Sequence, residues 1–237
     1  MDKNNSNKSK LLFVGLSLLI TAGVFYLGIW QTSRHFEKKF IIEHYKDQVQ
    51  KPIQNITDTA LNDPIINKFQ IYKAKATFIP DSIIFLGPKQ IAKVVGYNIV
   101  SLFEIENKQK MIINLGFIPL DEKDSFTINP GLQSLTLMQR QFRPRPNIFI
   151  PKNQPNSKSW FYLDQPSLVQ HYNTQIAGVY FDLLSDNFAS EIKPFNKNEV
   201  NFFNEHSKYA ITWFSLAAIL AILVVVYIRA EKVRFRS

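Results

Sequence analysis

The chain has no cysteine. That excludes disulfides, thiol catalysis, iron–sulfur clusters and copper–thiolate sites. It says little about compartment, because a translocated domain of this size folds without disulfides. Familiar catalytic signatures are missing as well. There is no G-x-S-x-G, no H-E-x-x-H and no phosphate-binding glycine loop. The four histidines, His35, His44, His171 and His206, include no pair at a ligand spacing of three or four. No internal repeat or low-complexity tract occurs. No basic stripe with interleaved aromatics is present, so nucleic acid is not an expected partner despite a net charge of +9.

What is present is two long runs without charge. Leu11–Trp30 and Tyr209–Ile228 each span twenty residues. Twenty helical residues rise about 30 Å, the hydrocarbon thickness of a bilayer. A soluble core helix rarely stays apolar on every face for that length. The organisation expected is a tail (1–10), a transmembrane helix (11–30), an extramembrane domain (31–208), a second transmembrane helix (209–228) and a tail (229–237). The first run is read as an uncleaved anchor: it is too long for a signal-peptide core, and no A-x-A-like site follows it.

The tails carry +2 and +3, leaving +4 for the middle. Basic tails at both ends fit cytoplasmic termini and a translocated central domain. Arg34, Lys38 and Lys39 oppose this, but they belong to a long loop, where such charges count for less. Contact with anionic membrane lipids follows from the same tails.

Between the runs, Phe36, Phe40, Ile41, Tyr45 and Val49 fall near a helical period, predicting a helix over 36–50 that Lys51-Pro52 ends. Residues 53–67 read as a loop with room for one turn of helix. Strands are expected at 69–79, 83–86, 94–105, 110–115, 132–142 and 178–184, with a hairpin turn at Glu106-Asn107-Lys108. Pro166–Asn173 reads as a helix with proline near its first turn, and 185–200 as irregular. The fold class expected is α+β: two transmembrane helices framing an antiparallel sheet with a few helices.

His206 stands apart by position. On a helix running into the second span, His206, Tyr209, Ala210, Trp213, Ala217 and Ala221 share one stripe. Small residues there fit close helix packing, and Trp30 and Trp213 fit an aromatic belt. An interface anchor with a helix seam and an imidazole ligand for a cofactor both remain open. Asn204 is a candidate helix cap beside Glu205.

Several motifs appear in order. They are Gly28-x-Trp30-Gln31-x-x-Arg34; Gly96-Tyr97-x-Ile99-Val100; Asn114-x-Gly116-Phe117-Ile118-Pro119; Phe149-x-Pro151-x-Asn153-x-Pro155 followed by Trp160-x-Tyr162-x-Asp164; and Asn204-x-His206-x-x-Tyr209-x-x-Thr212-Trp213-Phe214. Together they resemble the surfeit-locus (Shy-type) family of cytochrome c oxidase assembly factors, in its bacterial form. Leu115 departs from the pattern, standing where the family usually has arginine.

The resemblance implies a non-enzymatic protein of the cell inner membrane with a periplasmic central domain. It implies partnership with the oxidase catalytic subunit and the haem a synthesis enzymes. It also implies haem a as cofactor, with His206 as iron ligand and Tyr209, Trp213, Trp30 and Arg34 around it; Lys208 is a weaker partner for a propionate. Two alternatives stand beside this: a scaffold that stabilises an oxidase intermediate without haem, and a two-span periplasmic sensor or anchor.

Overall fold

The computed structural model describes residues 3–63, 68–128, 131–154, 156–184, 191–197 and 204–234. Most of the 185–200 segment expected to be irregular, and Pro155, lie outside the described residues. The chain divides into two units, residues 1–44 with 201–237, and residues 45–200.

The first unit is a pair of helices. Helix α1 spans Lys3–Gln50 and α4 spans His206–Arg234, both long and apolar enough to cross a bilayer. The expected first span and the 36–50 helix are thus one uninterrupted element. Nothing between Leu11 and Gln50 breaks it, and Lys51-Pro52 ends it, since proline has no amide to continue the ladder.

The two helices run antiparallel. Lys10 pairs with Glu231 near one end, Phe13 meets Tyr227 at 5.0 Å between ring centres, and Phe25 meets Phe214 edge-on at 5.3 Å. On α1 the covered positions are Val14, Ser17, Thr21, Val24, Gly28, Gln31 and His35; on α4 they include Ala210, Ala217 and Val224. Steps of three and four residues define a seam of coiled-coil type. Its small side chains let the backbones approach, as in membrane helix pairs.

The second unit is an α+β domain built on a closed sheet. Its strands are β1 (Gln54–Asn55), β2 (Ile71–Phe78), β3 (Ile84–Ile91), β4 (Val94–Ile105), β5 (Lys110–Pro119), β6 (Leu132–Arg140), β7 (Ser159–Trp160) and β8 (Tyr180–Leu183). Two short helices, α2 (Asp58–Asn62) and α3 (Gln165–Tyr172), complete it. Strands β2, β6, β8, β5 and β4 pair in sequence, and β4 pairs back to β2. That ring is a small barrel. The twelve-residue β4 makes closure possible: its start pairs with β3, its end with β2, and its other edge with β5. The hairpin turn at 106–108 forms as expected, with Lys108 in the left-handed region at φ 64° and the Asn107 side chain accepting from the Gln109 amide at 3.0 Å.

Three pairings are parallel rather than antiparallel: β1–β2, β3–β7 and β5–β8. Two of them involve two-residue strands too short to show a period. The third depends on which edge of the barrel β8 fills, a long-range choice. Residues 53–63 hold the expected helical turn, capped by Thr57, and also a short strand that was not expected.

β5 extends four residues past the expected Leu115. A bulge there sets Ile99 opposite Gly116 and Val100 opposite Asn114, leaving Leu115 unpaired. Met111, Ile113 and Leu115 face the barrel interior before the bulge and Ile118 after it. Gly116 sits at φ +131°, and a Cβ there would lie 2.1 Å from the Lys193 carbonyl oxygen. Only glycine fits. Leu115 is fully buried, so in this chain the position serves the core and meets no charged ligand.

A second core lies outside the barrel. Ile84, Val100, Leu102 and Ile112 are covered by Trp160, Leu163 and Leu168 of the segment around α3. Trp160 is fully buried and donates from Nε1 to the Ser157 carbonyl at 2.8 Å. The Asp164 side chain caps α3 by accepting from the Ser167 amide at 3.0 Å.

One ion pair is enclosed on the barrel wall. Arg140 Nε lies 3.0 Å from Asp182 Oδ2, and Asn114 donates to the other carboxylate oxygen at 2.9 Å. Burial pushes Asp182 above the usual carboxylate range, while Arg140 and Asn114 pull it back. A carboxylate raised by folding contributes stability at low pH and loses it as pH rises through its folded value.

Arg140→Met would remove the ion partner of Asp182 and leave it the Asn114 hydrogen bond and the charge of Lys89. Breaking a buried pair costs about 3–5 kcal/mol. The Arg140 side chain is 32% exposed, which places the loss toward the low end. The deficit in thermal stability of the detergent-solubilised variant should grow as the pH rises, because protonation relieves the buried Asp182 at the acid end.

Candidate functional site

At the end of the helix pair opposite Lys10 and Glu231, two distant motifs meet. Gly28 and Gln31 are three residues apart and so share one helix face. Gly28 forms a notch: a Cβ there would lie 2.6 Å from the Phe214 ring. With Phe214 seated, His206 comes opposite Gln31, and their Nδ1 and Oε1 atoms are 2.7 Å apart. One turn on, the Asn204 amide donates to the His35 carbonyl at 3.3 Å.

The Gln31 oxygen can only accept, so the tautomer this contact suits is the one with the proton on Nδ1. His206 Nε2 is then the lone-pair nitrogen, and it has no hydrogen-bond partner among the described residues. An imidazole oriented through one nitrogen while the other stays available is the arrangement of a metal-ligating histidine with its outer partner. His206 is half-buried. Nearby, His35 Nδ1 and Asn204 Oδ1 are buried without hydrogen-bond partners.

The other residues drawn from the sequence take different places. Tyr209 is 57% exposed, and Ala221 also faces outward. The seam runs through Ala210, Ala217 and Val224, because steps of three and four drift away from a straight stripe of i, i+3 and i+15. Trp213 is half-buried. Trp30 and Arg34 are exposed on α1. Arg34 lies 5.8 Å from the Trp30 ring centre and pairs with Glu37 at 2.7 Å, both side chains about half exposed. Lys208 pairs with Glu205. Asn204 does not cap α4: Glu205 precedes the first residue, its carbonyl accepting from Tyr209 at 3.3 Å.

The remaining histidines have bland surroundings. His44 stacks on Phe40, and His171 packs edge-on against Trp160 and Tyr172. Among the described residues no group of three or more His, Cys, Asp or Glu side chains is arranged to hold a metal ion.

Two contributors to the site carry no signal of their own in the sequence. Gln31 is visible there only as a motif letter, and the role of Gly28 depends on Phe214. Each needs its partner on a helix some 180 residues away, and no local pattern reports that.

The sequence model of the SURF1 family matches residues 18–218, a stretch containing both halves of this site. Relatives across eukaryotes and bacteria carry the name SURF1-like protein. That of Dictyostelium discoideum is 23% identical over 268 residues, covering 94% of this chain and 98% of the relative. That of Caenorhabditis elegans is 26% identical, covering 94% and 77%. A bacterial one, of Rickettsia bellii, is 25% identical, covering 92% of each.

Two substitutions test the geometry. Gln31→Leu should release the Nδ1-protonated tautomer of His206, read as mixed tautomers in nitrogen-15 spectra of histidine-labelled protein. Gly28→Leu should expel Phe214 from its notch and lower thermal stability by about 1–3 kcal/mol, the usual penalty of overpacking.

Proposed function

Because the chain belongs to the SURF1 family, we propose that it is a membrane-bound assembly factor for haem–copper cytochrome c oxidase, one that holds haem a or delivers it to the catalytic subunit. The observation carrying this reading is the His206–Gln31 contact at 2.7 Å, which leaves an oriented ring nitrogen at the end of the helix pair. In this reading His206 Nε2 would be the nitrogen that holds the haem iron. The haem a it would hold supplies an iron centre with an open demand for such a nitrogen.

The neighbouring residues suit the rest of such a ligand. Trp30 and Tyr209 expose aromatic surface, and Trp213 stands half-covered on the His206 helix. Arg34 is proposed as the propionate partner. Its present pairing with Glu37 is exposed, and exposed ion pairs contribute only about 0–1 kcal/mol, so exchange for a carboxylate of the ligand costs little. A guanidinium also holds carboxylates through paired hydrogen bonds. Lys208 is the weaker candidate, being a point charge on a flexible stem.

We place both termini in the cytoplasm and the central domain in the periplasm, on the strength of the basic tails. The proposed partners are membrane lipids, the oxidase catalytic subunit and the enzymes of haem a synthesis. The role is one of holding and transfer, not catalysis. A scaffold that never holds haem is the second reading, favoured by Phe214, which already fills the Gly28 notch.

Co-expression with haem a synthesis enzymes, followed by the visible spectrum of the purified protein, separates the two. Stoichiometric haem a is expected, lost in His206→Ala and weakened in Gln31→Leu. Absence of haem a, or binding unchanged in His206→Ala, would leave the scaffold.

A further inference from the structure

The segment 141–163 contains four basic residues, Arg143, Arg145, Lys152 and Lys158, and no acidic one. At its tip stand Ile148, 79% exposed, and Phe149, 87% exposed. No other large apolar side chain of residues 45–200, among those described, is as open. Isolated exposed apolar residues are ordinary, but this pair is held out by a built loop. Arg145 turns its guanidinium inward, donating from Nη2 to the Ile148 carbonyl at 2.6 Å and from Nε to the Ile150 carbonyl. The Asn147 side chain accepts from the Phe149 amide at 2.9 Å and the Ile150 amide at 3.2 Å. Pro144, Pro146 and Pro151 narrow the backbone further.

The base of the loop is tied down equally well. The Arg143 amide donates to the Leu163 carbonyl at 3.0 Å. Asn153 donates to the Tyr162 carbonyl at 2.8 Å and accepts from the Phe161 amide at 2.9 Å. The motif residues Phe149, Pro151 and Asn153 thus divide their tasks: Asn153 fastens the loop, and Phe149 has no packing task within the domain.

We propose that the 147–151 loop is a docking finger for the oxidase subunit that this protein assists, entering an apolar cleft with an acidic rim on that subunit's extramembrane surface. This rests on the assembly reading above. A loop already ordered by its own hydrogen bonds gives up little conformational entropy on binding, and an aromatic anchor seated in a pocket is the usual energetic centre of an interface. The exposed cations Arg143, Lys152 and Lys158 select an acidic rim. A bilayer fits less well. Lipid contact requires no fixed loop shape, and Arg145 spends its guanidinium on the loop's own carbonyls instead of presenting it to phosphates. Beside the finger, an open pocket lined by Arg143, Tyr162, Asp164 and Gln165 offers polar groups of both signs, as a protein rim requires.

The test uses the full chain in the membranes of a host whose oxidase depends on it. A photo-crosslinking side chain is placed at position 149 and, as control, at the exposed Leu132. Expected is an adduct recognised by antibody to the oxidase catalytic subunit, formed from position 149 and not from 132. The doubly substituted protein, Ile148→Ser with Phe149→Ser, should accumulate normally, since neither side chain packs in the domain. Co-purification of the subunit should fall roughly tenfold or more, as expected on losing an interface anchor.

An adduct with lipid alone would overturn the proposal in favour of membrane contact. So would a doubly substituted protein that binds the subunit as well as the parent. If deleting the whole protein leaves oxidase assembly unchanged, the assembly reading fails and the finger with it. Intact dependence with a silent loop removes only the finger.

Discussion

A backbone amide or carbonyl taken out of water has to find another partner, and the few ways of doing so shape both units of this protein. In hydrocarbon a lone segment satisfies its own backbone only as a helix, and Leu11–Trp30 and Tyr209–Ile228 sit inside two helices long and apolar enough to cross a bilayer. In the second unit the same requirement is met by closing a sheet upon itself, so that β2, β6, β8, β5 and β4 expose no free edge along the ring. Closure demands one strand long enough to serve three neighbours. It also demands a bulge where the wall bends, and Leu115 and Gly116 supply that. An arginine at 115 would face the barrel interior, so the leucine belongs with the packing of this core.

Where apolar surface is abundant, it cannot by itself decide which faces meet. Lipid is as apolar as leucine, so helix association in a membrane depends on shape and on polar contacts. Here the seam is drawn by small residues and a single notch. Polar pairs stand toward its two ends: Lys10 with Glu231, and Gln31 with His206. A slip of one residue in either helix would separate both pairs and unseat Phe214 from Gly28. The contact that orients the candidate ligand is therefore also one of the contacts that sets the register. On the barrel wall Asp182, Arg140 and Asn114 act similarly, joining β8, β6 and β5 through groups that tolerate no unpaired alternative.

Much of this is legible in the order of the amino acids. The two spans, the helix ending at Gln50, the limits of β4, the 106–108 turn and the α3 helix all follow from period, length and turn chemistry, which are local. What fails to show there is non-local: the parallel placing of β8, the two-residue strands, and the continuation of β5 through its bulge. The candidate site divides along the same line. His206 draws notice for its position before an apolar run. Gln31 and Gly28 stay letters of a motif, and Tyr209 is drawn into a stripe that the seam leaves outside.

Composition and spacing alone thus determined that the chain carries two membrane-length helices around an α+β domain, and they excluded thiol and disulfide chemistry. Those conclusions depend on the chemistry of single residues and on distances of a few turns. Only the tertiary structure decided that Gln31 meets His206, that the sheet closes, and that Phe149 stands unpacked at the tip of a fastened loop. Each joins or separates residues far apart in the chain, and such choices are made by packing and hydrogen-bond satisfaction over the whole fold.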